Sequence, residues 1–256
     1  MVEKQKVWET NNYYDKAHIS SLDLNNPGIR LLLNLSKKSR KILDLGCGDG
    51  SRLSLLSNVG TGVDVSVKAI SIAKKRYPKC KFIIGNLENL TFPNDSFDLL
   101  YSAYVFEHID NVEKVINEIK RVLTPSGNLV IICPNYGAPN RASPPFTGSR
   151  INKFISGFLN DLLNVFRHVK TLNWVKVTPI KGEYKSDFDV TIEPYSLSLS
   201  KYLESNGFLV EKNFQTWEYE LEAANILQKI FRFLGLVGIY PFYYWSPHIV
   251  IQAKKI

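Results

Sequence analysis

Apolar and polar positions follow two rhythms along this chain, and the change from one to the other divides it. Between residues 41 and 134, short apolar runs alternate with apolar stripes at helical spacing. The runs at 41–45, 61–65, 81–84, 97–102 and 128–133 predict strands. The last is apolar throughout after Asn128, as expected of a strand covered on both faces of a parallel sheet. Helices are predicted at 51–57 and at 67–77, where Ala69, Ile70 and Ala73 share a face and Pro78 follows. A third is predicted at 112–123, with Val115, Ile116, Ile119, Val122 and Leu123 on one stripe and Pro125-Ser126-Gly127 as a stop. Strands alternating with helices imply right-handed crossovers and a doubly wound α/β domain.

After Pro134 the rhythm breaks. Residues 135–194 are irregular, with Pro139, Pro144, Pro145, Pro179 and Pro194 and an amphipathic stretch at 151–168. Regular signals resume with a helix at 197–205 stopped by Gly207, a strand at 208–214 and a final apolar strand at 249–253. The expected architecture is a mostly parallel seven-stranded sheet with helices on both faces and an insertion after the fifth strand. Its expected parts are an N-terminal helical segment or lid (1–40), a ligand-binding core (41–134), the insertion (135–194), and a C-terminal helix and strands completing the sheet (195–256). An insertion there lies at the carboxyl edge of the sheet, where open α/β folds bind ligands.

Within the core, the strand at 42–45 runs into Gly46-Cys47-Gly48-Asp49-Gly50. The glycines let the backbone turn tightly and approach a small molecule without a Cβ in the way. A dinucleotide loop needs Gly-x-Gly-x-x-Gly, and the third slot is Ser51. It would also bring a pyrophosphate close to Asp44, with like charges repelling. A ligand with a cationic amino-acid end suits that carboxylate, and S-adenosylmethionine, with ammonium and sulfonium charges, meets the requirement. Asp64 follows twenty residues later at the end of the second predicted strand, where a carboxylate can accept from both ribose hydroxyls or cap the next helix.

Five words in order, Leu-Asp-Leu-Gly-Cys-Gly-Asp-Gly (43–50), Gly-Val-Asp-Val-Ser (62–66), Phe-Pro-Asn-Asp-Ser-Phe-Asp (92–98), Glu-His-Ile (107–109) and Val-Leu-Thr-Pro-Ser-Gly (122–127), resemble a known family. They match the Rossmann-like core of class I S-adenosylmethionine-dependent methyltransferases, in particular the type 11-like group related to ubiquinone-biosynthesis enzymes. The resemblance covers residues 40–134 and is much weaker elsewhere. It implies that S-adenosyl-L-methionine is bound and left as S-adenosyl-L-homocysteine. Asp44 and the backbone of Gly46, Cys47 and Gly48 would hold the methionine end, and Asp64 the ribose. Val65 would pack on the adenine face, with Asn86 and the backbone of Leu87 at the adenine edge. Many relatives carry an acid where Asn86 stands. Ser102 and Ala103 would lie along the methionine moiety, and Tyr14 would belong to a lid.

Glu107-His108 is the candidate catalytic pair. A hydroxyl acceptor gains from a base that removes its proton, and histidine suits that task at neutral pH. The alternative is that the pair orients the loop or caps Asp110-Asn111. Some relatives bind a divalent metal through a further glutamate three residues before this pair. That position is Tyr104, so no catalytic metal is expected. The insertion adds Asn135, Tyr136, Arg141, Phe146 and Arg150, a mix suited to a polar acceptor.

Composition narrows the setting. The net charge of +8 is spread out, and its densest clusters, Lys37-Lys38-x-Arg40-Lys41 and Lys74-Lys75-Arg76, flank core elements, which argues against a nucleic-acid partner. Three cysteines without metal-ligand spacing, and no apolar leader after Met1, point to the cytoplasm. Residues 226–246 are rich in aromatic and aliphatic side chains beside Lys229 and Arg232, but their uncharged portion from Phe233 to Pro247 is only fifteen residues. That is short of the roughly 20 needed to span a bilayer. The alternatives are an interfacial segment at the inner face of the membrane, a cover over the sheet or a dimer contact. The expected activity is methyl transfer to a small molecule, onto a hydroxyl of a sugar, glycan precursor or quinone-like lipid. Methylation of RNA, or a non-catalytic regulatory or scaffold role, are the alternatives.

Overall fold

The computed structural model describes residues 24, 26–57, 59–163, 168–181, 185–219 and 225–256. Trp8, Tyr13 and Tyr14, the residues expected to form a lid, lie outside the described residues. Seven strands form one sheet in the order β3-β2-β1-β4-β5-β7-β6. They are β1 (Ile42–Leu45), β2 (Thr61–Asp64), β3 (Lys81–Ile84), β4 (Phe97–Ala103), β5 (Leu123–Pro134), β6 (Phe208–Asn213) and β7 (His248–Lys255). β1 pairs in parallel with β2 and β4, and β2 with β3; Asp44 stands opposite Gly62 on one side and Tyr101 on the other. The doubly wound α/β expectation holds.

The chain divides into two compact units, one of residues 1–105, 111–130 and 254–256, the other of residues 106–110 and 131–253. In the first, α1 (Pro27–Ser36) starts at Asn26, whose side chain accepts from the Gly28 N–H, with proline in the first turn where its missing N–H costs nothing. α2 (Ser51–Leu56) and α3 (Val67–Arg76) follow the first two strands, and Ser66 caps α3 by accepting from the Ala69 N–H. α4 (Val112–Val122) buries Val115, Ile116, Ile119 and Val122, the predicted stripe. One boundary differs from the sequence reading. β5 begins at Leu123, so Pro125-Ser126-Gly127 falls within its span. The turn chemistry survives as a local kink, with Ser126 at φ 61°.

The second unit holds α5 (Arg150–Leu163), α6 (Ser196–Ser205) and α7 (Ile226–Leu236). Its core is aromatic: Ala138, Trp217, Phe231 and Trp245 are buried, with Phe154, Phe158, Tyr195, Phe242 and Tyr244 packed against them. Trp217 explains a glycine in the last turn of α7, since a Cβ on Gly235 would lie 2.1 Å from the indole nitrogen. The Trp245 indole and the Tyr195 hydroxyl both donate to Asp161 Oδ2, and burial pushes that carboxyl up to about 6 despite these bonds. Residues 226–246 are thus a helix capped by Asn225 followed by a turn at Phe242–Trp245. No helix among the described residues is long and apolar enough to cross a membrane.

Candidate active site

The glycine turn is held by its own backbone. Gly46 and Cys47 both donate N–H bonds to Val63 O on β2, at 2.8 and 3.0 Å. Gly46, Gly48 and Gly50 adopt φ of 77°, 52° and 80°, the left-handed region that side chains avoid. At Gly46 a Cβ would also strike Val105 Cγ2 at 2.3 Å. Asp64 reaches across from the end of β2: Oδ2 accepts from the Gly48 N–H at 2.9 Å and Oδ1 from the Ser66 N–H at 2.8 Å. Its carboxylate therefore ties the glycine turn to the start of α3.

Asp44 lies fully buried beneath the turn. Oδ2 accepts from the Tyr101 hydroxyl at 2.6 Å, while Oδ1 is buried with no hydrogen-bond partner. Burial pushes this carboxyl up to about 7. The Arg52 guanidinium and the Tyr101 bond pull the other way, and Asp64 and Asp49 add repulsion. Arg52 is the residue that the sequence reading missed. It is buried, it donates through Nη1 to Ala103 O at 3.3 Å, and its guanidinium lies 5.8 Å from the Tyr104 ring centroid. Its Nε has no partner. Thus a carboxylate oxygen and a guanidinium nitrogen are both left unsatisfied behind one glycine turn. That pairing matches the ammonium and carboxylate of an amino acid, and such orphaned buried groups are costly unless a ligand serves them.

The remaining expected donor contacts are distributed unevenly. Val65 is half exposed, and Asn86 is exposed with Oδ1 already accepting from the Glu88 N–H at 2.9 Å. Leu87 is half-buried beside it. Ser102 is fully buried and its hydroxyl donates to Leu45 O, so only its backbone remains for a ligand. The Cys47 side chain turns inward, 2.7 Å from the place a Cβ on Gly62 would take, and burial raises its thiol pKa.

Glu107 and His108 lie in a short 3-10 turn, Phe106–His108. His108 Nδ1 is 3.1 Å from the backbone oxygen of Asp189, a group that can only accept, so Nδ1 donates there. Nε2 is 4.0 Å from Glu107 Oε1 and 3.9 Å from Asp189 Oδ2. Glu107 is buried and Oε2 has no partner; burial raises its carboxyl to about 7, His108 opposes this, and Asp187 and Asp189 add to it. The loop is pinned at the Glu107 carbonyl, which accepts from the Thr191 and Ile192 N–H groups. Asp189, 81 residues beyond His108, carried no sequence signal for this role. Nearby in the same unit, Tyr136 donates to Asp187 Oδ2 at 2.7 Å. Among the described residues no group of three or more His, Cys, Asp or Glu side chains is arranged to hold a metal ion.

A methyltransferase domain profile matches residues 43–131. The chain is 30% identical over 187 residues to a demethylmenaquinone methyltransferase of Thermotoga maritima, spanning 67% of this chain and 79% of that protein. It is 30% identical over 98 residues to a sterol 4-C-methyltransferase of Caenorhabditis elegans, 35% of this chain and 29% of that one. Among solved structures, an S-adenosylmethionine-dependent methyltransferase from Mesorhizobium loti matches with TM-score 0.55 and 20% identity, over 90% of this chain and 96% of that one. A geranyl diphosphate C-methyltransferase from Streptomyces coelicolor, solved with Mg2+, geranyl diphosphate and S-adenosyl-L-homocysteine, matches with TM-score 0.56 and 15% identity, over 95% and 84%. The chain belongs to the class I S-adenosylmethionine-dependent methyltransferases, in the group related to those of quinone biosynthesis. It is an S-adenosylmethionine-dependent enzyme, and the unsatisfied Asp44 and Arg52 fit that donor's amino-acid end.

Proposed function

We propose that this enzyme methylates a hydroxyl oxygen of a small acceptor, a sugar, a glycan precursor or a quinone-like lipid, with His108 as the general base. The observation that carries this reading is the His108 imidazole, with Nδ1 on the Asp189 carbonyl and Nε2 about midway between two buried carboxylates. The acceptor hydroxyl would give its proton to Nε2 as its oxygen takes the methyl group, whose bond to the donor's sulfur would break to leave S-adenosylhomocysteine. Glu107 and Asp189 then stabilise the imidazolium. The donor supplies a methyl group already activated on a sulfonium, so positioning accounts for much of the acceleration, roughly 7–11 kcal/mol in favourable cases. On the donor side, Asp44 and Arg52 hold the amino-acid end, Asp64 the ribose, and Val65, Asn86 and Leu87 the adenine. The Thermotoga maritima relative supports a quinone-like ring among these acceptors. The helix at Ile226–Leu236 and the turn after it favour work at the inner face of a membrane, where such lipids reside.

The test uses purified enzyme and methyl-labelled S-adenosylmethionine, offered demethylated quinols, sugar nucleotides and lipid-linked sugars. The expected product gains one methyl group on oxygen, seen by mass spectrometry, and His108→Ala abolishes the gain. Transfer to carbon or nitrogen with His108→Ala fully active would refute the assignment.

A further inference from the structure

Helices α5 and α7 each leave an apolar stripe in solvent. On α5 it is Ile151, Ile155, Leu159 and Leu162; on α7 it is Ile226, Ile230 and Phe233, continued by Val237 at its C-cap, all between 46% and 79% exposed. Their spacings of three and four place each set on one helical face. The opposite faces meet in the aromatic core: Phe154 stacks on Phe231 at 5.7 Å, and the Tyr240 hydroxyl donates to Asp161 O beyond the far end of α7.

At their shared starting end lies a recess of about 140 Å3 whose lining includes Asn140, Arg141, Arg150, Asn225, Gln228 and Phe231. Among the described residues its lining has two guanidinium groups, three amides and no carboxylate. Arg141 is pre-positioned, with Nε donating to Trp245 O at 3.0 Å and its guanidinium 5.4 Å from the Trp217 ring. Residues 225–246 add Lys229 and Arg232 and contain no acid, while residues 139–163 contain only Asp161, which is buried. Such a recess fits a phosphate, and exposed apolar stripes flanked by cations fit the headgroup and acyl layers of one anionic bilayer.

We propose that α5 and α7 form a docking surface for an anionic phospholipid membrane, with a lipid phosphate held in the recess by Arg141 and Arg150. This deepens the membrane-face reading above and does not depend on the acceptor.

The test is flotation of the full chain with vesicles of phosphatidylcholine alone or mixed with phosphatidylglycerol, alongside methyl transfer to a soluble acceptor. The chain should float with the anionic vesicles and not with the neutral ones. Ile155→Asp/Phe233→Asp should weaken flotation at least tenfold with circular dichroism and activity on the soluble acceptor unchanged, and Arg150→Glu should weaken it as much with circular dichroism unchanged. Failure of wild type to float with anionic vesicles would overturn the proposal, as would equal flotation with neutral ones or full flotation of Arg150→Glu. A dimer in analytical ultracentrifugation that the double variant dissolves, without vesicle binding, would reassign the face to self-association. Vesicle binding without any methyl transfer would leave this surface standing and refute the acceptor assignment instead.

Discussion

Asp44 and Glu107 are both buried carboxylates, both raised to about 7 by burial, and each keeps one oxygen without a partner. Their surroundings differ. Asp44 is offset by a permanent cation, Arg52, eight residues away, and by the Tyr101 hydroxyl. Glu107 faces two further acids, Asp187 and Asp189, and the cation that offsets it is His108, which is charged only when protonated. On the proposed reading, the first region would receive a fixed positive charge together with a carboxylate, and the other a proton arriving on an imidazole. The same desolvation would then serve binding in the first unit and proton transfer in the second.

The largest expected effect separates these roles. His108→Ala should lower kcat by about 10²–10⁴-fold, the usual contribution of a positioned base. The affinity for S-adenosylhomocysteine, measured by calorimetry, should stay within error of wild type. Glu107→Gln should lower kcat less and shift the pH-rate profile, because the imidazolium loses a neighbouring charge. If His108→Ala instead weakens cofactor binding and spares turnover, the division between the regions is wrong.

Next in size is the glycine turn. Gly46→Ala combines a φ of 77° with a Cβ driven onto Val105, a side chain too stiff at χ1 to swing away. It should cost about 1–3 kcal/mol of stability and a comparable share of donor affinity. Val105→Ala in the same chain should recover part of the loss, since it removes the clash and leaves the backbone strain. Asp44→Asn comes third. It should weaken S-adenosylmethionine binding roughly tenfold, the scale of about 1.5 kcal/mol for a hydrogen bond to a charged group. In wild type the affinity should rise as pH increases through 7, where Asp44 ionises, and this rise should vanish in the variant.

The glycine turn was legible because its geometry is local. Gly46, Gly48, Asp64 and Ser66 lie at strand ends, where turn geometry dictates residue type, and the parallel register β1–β2 brings them together. Arg52 was overlooked because its partner, Ala103 O, is 51 residues away and an arginine at the start of a helix reads as surface. The acceptor side is harder on principle. Asp189 meets His108 across 81 residues of irregular chain, and Lys153 pairs with the buried Glu193 across 40. Neither pair repeats at any helical or strand period. The segment at 226–246 was read for hydrophobicity, which hid the capping signal of Asn225, whose side chain accepts from the Gln228 N–H.

The smallest effect is also the most general, and it concerns the free protein. Asp44 is raised from 3.8 to about 7, Glu107 from 4.5 to about 7 and Asp161 from 3.8 to about 6. A carboxyl whose folded pKa is raised keeps its proton in the folded state after the unfolded chain has released it. Between about pH 4 and pH 7 the folded state therefore binds more protons, and stability falls as pH rises through that window. Melting followed without donor should show a lower Tm at pH 7.5 than at pH 5.5, other groups held equal by the comparison with variants. Asp44→Asn should flatten this slope by a few degrees, since about 1 kcal/mol corresponds to roughly 2–4 °C at this chain length. Glu107→Gln should flatten it by a similar amount. Saturating S-adenosylmethionine should erase the Asp44 part of the slope and leave the Glu107 part, because the donor's ammonium compensates only the first carboxylate. A donor that flattens both equally would mean that the two buried acids serve one charge, and that the contrast between them has been drawn too sharply.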